Sequence, residues 1–206
     1  MEKSRNAEEF IARQKAAIAA NPECGTSHYN LAVALLGQQK YNEAEQSLIE
    51  AINCSPNLAE AYVQLGGICL NRGDLDGCLK YNKQAVNSRA AFAEGWGNIG
   101  FVELQKGNLE EAIRALKKAI IYNNRFIQAF TTLANAYLMS GLLEESIETN
   151  LKVLDIEPNF SIVHNNLAIC YLEQENYEKA IEHCDLAVEL GYQVDPKILK
   201  EIDDHR

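Results

Sequence analysis

Apolar residues recur along this chain at two intervals at once: every three or four positions within a segment, and every 34 positions between segments. Leu36, Leu70, Leu104, Leu138 and Leu172 form one row at the longer spacing, and Leu31, Leu65, Ile99, Leu133 and Leu167 form a second. A third row is small: Ala32, Gly66, Gly100, Ala134 and Ala168. The short interval is that of an amphipathic helix. The long one marks stacked helical hairpins, each burying its apolar face on its neighbours.

The unit that starts at Ala93 shows the pattern. Trp96, Ile99, Gly100 and Leu104 recur at helical intervals until Gly107-Asn108 interrupts them. Leu109, Ala112, Ile113, Leu116, Ala119 and Ile120 then share one face of a second helix. The turn between the two carries Gln39, Gly73, Gly107, Gly141 or Glu175 in the five units, so each reads as helix, tight turn and antiparallel helix. Small residues on the second helix (Ala44, Cys78, Ala112, Ser146 and Ala180) face the Ala/Gly row of the first. Pro22, Pro56 and Pro158 fall where a second helix has ended.

Full units are expected over 25–58, 59–92, 93–126, 127–160 and 161–194, within a single solenoid spanning 1–206. Residues 6–24 match a second helix with no first helix before it. Residues 195–206 read as a capping helix: Asp195 is the N-cap, Pro196 suits the first turn, and Ile198, Leu199 and Ile202 cover the last unit.

Large residues take one further row: His28, Tyr62, Trp96, Phe130 and His164. With these large, Leu, Ala/Gly, Ala and Pro positions in place, the chain resembles the tetratricopeptide repeat family over roughly residues 5–206. Departures are local. Glu103 stands in a row otherwise held by Leu35, Cys69, Tyr137 and Tyr171, and Asn82 and Asn150 stand in the row of Leu48, Leu116 and Cys184. The resemblance implies an all-α fold, a right-handed superhelix, and a non-catalytic scaffold or adaptor that holds a peptide segment of another protein in a concave groove.

First helices line that groove in the family, and residues three or four apart on a helix share a stripe. The stripe outside the hairpin core comprises Asn30, Val33, Leu36, Gln64, Gly67, Leu70, Asn98, Phe101, Leu104, Thr132, Asn135, Leu138, Asn166, Ile169 and Leu172. Leu70, Phe101, Leu104 and Leu138 are the expected apolar anchors, and Asn98, Asn135 and Asn166 the expected binders of peptide backbone. The polar row Asn30, Gln64, Asn98, Thr132 and Asn166 can donate and accept through short side chains. Family members that clamp chaperone C-termini use Lys and Arg on this stripe. The matching positions here are Tyr29, Val33, Gln64, Glu94 and Asn98, none of them basic, so that carboxylate clamp is not expected.

Charge and cysteine usage narrow the partners. The net charge is −10, and it is uneven: residues 1–126 carry 14 acids and 14 bases, whereas residues 127–206 carry 15 acids and 5 bases. An acidic half repels phosphates, so no nucleic-acid partner is expected. No apolar run approaches the roughly 20 residues that span a bilayer, and the N-terminus lacks the apolar stretch of a signal peptide, so a cytoplasmic protein without membrane contact is expected. Six cysteines show no CxxC and no zinc-finger spacing, and they read as packing thiols with no metal or other cofactor. No nucleophile–base set or phosphate loop is present, and an enzyme is not expected. Two rival readings remain: a self-assembling homo-oligomer docking through the helix at residues 6–20, and a thiol- or metal-responsive regulator.

Overall fold

The computed structural model describes residues 2–206, with side chains from residue 6 onward. Twelve α-helices account for the regular structure among the described residues. They are α1 (Glu2–Ala20), α2 (Gly25–Gly37), α3 (Tyr41–Cys54), α4 (Ala59–Asn71), α5 (Leu75–Ser88) and α6 (Ala93–Gln105). The second six are α7 (Leu109–Tyr122), α8 (Ile127–Met139), α9 (Leu143–Ile156), α10 (Ser161–Glu173), α11 (Tyr177–Glu189) and α12 (Pro196–Asp203). The helices α2, α4, α6, α8 and α10 start at residues 25, 59, 93, 127 and 161, so the sequence period is also the period of the fold. They form two compact units, the first ending at Val102 and the second running Glu103–Arg206.

The five hairpin turns share one hydrogen-bonding scheme. The second residue past each first helix takes a left-handed conformation: Gln39 at φ 60°, Gly73 and Gly107 at 78°, Gly141 at 74° and Glu175 at 57°. The next amide then reaches back five residues, from Lys40 to Leu35, Asp74 to Cys69, Asn108 to Glu103, Leu142 to Tyr137 and Asn176 to Tyr171. That is the Schellman closure, which satisfies carbonyls a helix end leaves open. Three of the five positions use glycine, which adopts the left-handed region without a Cβ clash.

In the first unit, Leu31, Leu35, Leu48 and Leu65 pack with Ala32, Ala44, Ala51 and Ala61, and Ile11 and Ile18 of α1 cover them. The start of α2 meets the end of α3 closely: a Cβ on Gly25 would stand 2.3 Å from Ser55 Oγ and 2.9 Å from the Ala51 carbonyl. In the second unit, Val153, Val163, Leu167, Ala168, Ala180 and Ala187 form the core. Ile202 of α12 is fully buried against it with Ile198 and Leu199 alongside. Asp195 caps α12 by accepting from the Lys197 amide at 2.8 Å.

The large row has a polar use that hydrophobicity alone conceals. His28 Nε2, Trp96 Nε1 and His164 Nε2 each reach a carbonyl six residues earlier, on Pro22, Ala90 and Pro158, at 2.9, 2.8 and 3.1 Å. Each bond pins the loop that enters a unit to the first helix of that unit. Glu103 is likewise explained: buried, it accepts from Asn108 Nδ2 at 2.8 Å across its own turn.

Candidate functional site

The first-helix stripe divides by exposure. In the first unit, Val33 is 42% exposed and Leu70 and Phe101 are each 37% exposed, large apolar surfaces that face water. Gly67 is exposed beside them, and Asn30, Leu36, Gln64 and Asn98 are half-buried. In the second unit, Asn135 is exposed and Thr132, Leu138, Asn166 and Ile169 are half-buried. Leu104 and Leu172 are buried, at 8% and 9% exposure. This departs from the expectation of Leu104 as an apolar anchor and of Leu172 as a groove residue. Leu172 packs into the core of the second unit, and neither side chain leaves an area large enough to anchor a ligand.

The polar members are not five equivalent groups. Asn98 Nδ2 donates inward to Asn82 Oδ1 at 3.0 Å. Thr132 Oγ1 donates to the Gln128 carbonyl of its own helix at 2.7 Å. Gln64 lies beside the half-buried Tyr29 hydroxyl. Asn166 Nδ2 donates to Asn135 Oδ1 at 3.3 Å, so these two lie side by side on the stripe of the second unit. The Asn135 amide hydrogens and Asn166 Oδ1 remain for a ligand, a donor and an acceptor that match the polar groups of a peptide bond.

Second helices bound two cavities of a shape that the sequence reading missed. One, of about 520 Å³, is lined by Lys15, Ile18, His28, Leu31, Ser47 and Glu50 among others. The other, of about 300 Å³, is lined by the residues three repeats later, including Lys117, Ile120, Phe130, Leu133, Thr149 and Lys152. Ser47 and Thr149 line them, in a row that also holds Tyr81, Ala115 and His183. Ser and Thr leave the slot open, Tyr81 packs against the first core, and His183 stacks on Tyr171 with ring centroids 5.6 Å apart.

All six cysteines are free thiols. Burial pushes the Cys78 thiol up to about 11 and raises those of Cys69, Cys170 and Cys184, which holds them protonated. Cys24, at the N-cap of α2, behaves oppositely. The Ser27 hydroxyl, 3.2 Å from its sulfur, lowers its thiol below the ordinary value, and the Ser27 amide helps. No group of three or more His, Cys, Asp or Glu side chains that could hold a metal ion occurs among the described residues. No helix among them is long and apolar enough to cross a membrane.

Three family models described as tetratricopeptide repeat match the chain, over residues 11–59, 103–165 and 161–190. No curated protein is similar to it at a significant level. Among solved structures, the fold is similar to that of YrrB, described as a TPR protein with an unusual peptide-binding site. The two share 20% identity at a TM-score of 0.77, over 93% of this chain and 97% of YrrB. It is also similar to PilF of Pseudomonas aeruginosa (20% identity, TM-score 0.77, 87% of this chain and 82% of that one). MamA is a third (21% identity, TM-score 0.71, 78% and 94%). At these identities the likeness is one of fold. The period, the shared turn closure and the three family matches together make this chain a member of the tetratricopeptide repeat family, with five consecutive 34-residue repeats, a leading half-repeat and a C-terminal capping helix.

Proposed function

We propose that the protein is a non-catalytic interaction scaffold whose first helices bind an extended segment of a partner protein. The observation that carries this reading is the exposure of Val33, Leu70 and Phe101 on the first helices of the first unit. In the second unit, Asn135 and Asn166 present donor and acceptor groups on the corresponding helices. The outer faces of α9 and α11 are acidic, with Glu144, Glu145, Glu148, Glu178, Glu182 and Glu189 exposed beside Leu151 and Val188. YrrB, with the same fold, is described as having a peptide-binding site, which supports the reading.

Apolar side chains of a ligand would gain roughly 25 cal/mol per Å² on leaving water against Leu70 and Phe101. Amides along the stripe would meet the ligand backbone whatever its sequence. Leu70→Asp and Phe101→Asp test this, both residues being exposed and therefore open to change without loss of the core. Peptides selected from a phage-displayed random library on the wild-type chain should lose binding to the double variant while helix content is kept. Undiminished binding would remove the first-helix stripe as the site.

A further inference from the structure

Two asparagines sit in a core row that the other repeats fill with Leu48, Leu116 or Cys184, and they are in different states. Asn82, fully buried, donates to the Cys78 carbonyl at 2.9 Å and accepts from Asn98 at 3.0 Å. Asn150, 68 residues later and equally buried, has no hydrogen-bond partner on either amide atom. Its counterpart of Asn98 is Asn166, which bonds Asn135 instead.

The pairing is written into the sequence. Wherever the polar row of the stripe carries asparagine, the residue sixteen positions earlier is an amide: Gln14 before Asn30, Asn82 before Asn98, Asn150 before Asn166. Where that earlier residue is leucine, at Leu48 and Leu116, the stripe carries Gln64 and Thr132.

The small row explains why one pair is closed and the other open. A Cβ placed on Gly66 would stand 2.4 Å from Asn82 Nδ2, so the Asn82 pose exists only because residue 66 is glycine. The equivalent residue in the second unit is Ala134, itself fully buried, whose methyl group fills that space. An amide nitrogen cannot share it at that distance. Asn150 is therefore barred from the inward pose that would receive Asn166. A neighbouring bond takes part of what is left: Ser146 Oγ, four residues before Asn150, donates to the Ala134 carbonyl at 2.9 Å.

We propose that Ala134 is a positioning residue of the first-helix stripe: by excluding Asn150 from the pose of Asn82, it releases Asn166 from the core to form, with Asn135, the pair that binds peptide backbone. Asn98, tied to Asn82, is a tethered member of the row. This rests on the reading of the stripe as a peptide site, but its structural half stands without any ligand.

Side-chain amide NMR of the full chain separates the two. In the wild type, Asn166 amide protons should show contacts to Asn135 and none to Asn150. Ala134→Gly should shift Asn166 onto Asn150, and Gly66→Ala should detach Asn98 from Asn82. Asn150→Leu, a residue the chain already uses at 48 and 116, should leave the Asn135–Asn166 contact intact and serves if the glycine variant folds poorly. An Asn166–Asn150 contact in the wild type, an unmoved Asn166 in Ala134→Gly, or loss of the Asn135 contact in Asn150→Leu each overturns the proposal. Phage-selected peptides should bind Ala134→Gly about tenfold more weakly, the loss of one hydrogen-bonding side chain; unchanged affinity overturns the role of the pair. If no peptide is selected, the peptide-site reading fails while the NMR outcomes still decide the role of Ala134.

Discussion

His164 Nδ1 and His183 Nδ1 lie 3.0 Å apart, a contact that admits only one proton between them. His164 Nε2 donates to the Pro158 carbonyl, which can only accept, so neutral His164 presents a lone pair at Nδ1 and His183 supplies the hydrogen. Burial lowers the His183 pKa from its ordinary 6.5, and the His164 charge lowers it further. Lys179 acts in the same direction, Glu182 opposes them, and the Tyr171 ring stacks on His183.

A base with a depressed folded pKa contributes stability in its neutral form. That contribution is whole above 6.5 and is lost as the pH falls from there through the lower folded value, because the unfolded chain then binds the extra proton. The thermal midpoint should therefore drop between about pH 7 and pH 5. His183→Thr, which copies Thr149 at the same repeat position, should flatten that drop. Equal slopes for wild type and variant would exclude the pair as its source.

The two turns without glycine should be improvable. Gln39 and Glu175 hold φ near 60° with a Cβ, whereas the other three turns use glycine in the same Schellman closure. Left-handed backbone costs a residue with a Cβ about 1–2 kcal/mol, and glycine gives back part of that in unfolded-state entropy. Glu175→Gly and Gln39→Gly should each raise unfolding free energy by about 0.5–1 kcal/mol. Urea denaturation checks this, with a shifted midpoint and an unchanged slope.

How far the chain could be read without coordinates differs between backbone and side chains. The helices, their turns and the α12 cap follow from spacing, because the 34-residue period repeats each packing choice five times and a local departure cannot hide it. The stripe was legible only as a row of positions. Leu104 and Leu172 belong to it by register, yet their burial depends on which neighbouring side chains reach over them, and no period encodes that. Asn82 and Asn150 were visible as departures from an apolar row. Their roles were not, because the difference between them lies in one methyl group at residue 66 or 134 on the facing helix.

That difference gives one substitution opposite signs at two equivalent positions. Asn150→Leu removes an amide buried with neither atom paired, a penalty of about 1–3 kcal/mol in the folded state. The variant should be more stable than wild type. Asn82→Leu removes an amide with two partners, and it should cost about 1 kcal/mol. Parallel denaturation of both variants measures the contrast; shifts of the same sign would show that Asn150 is satisfied in solution.

Thiol reactivity should separate the six cysteines by environment. Alkylation proceeds through the thiolate, so its rate follows both the fraction ionised and access to the sulfur. Cys78, Cys170 and Cys184 are almost fully enclosed, and burial also raises their pKa values, Cys78 to about 11. Cys24 has the reverse combination: it is partly exposed, and the Ser27 hydroxyl stabilises its anion at the start of α2. With iodoacetamide at neutral pH, Cys24 should be modified first, and the three enclosed thiols only after unfolding. Ser27→Ala should slow Cys24 without altering the others, since it removes the first cause of the lowered pKa and leaves the helix start in place. Mass spectrometry of timed digests reads each site separately, and labelling of Cys78 or Cys184 ahead of Cys24 in the folded chain would contradict the assignment.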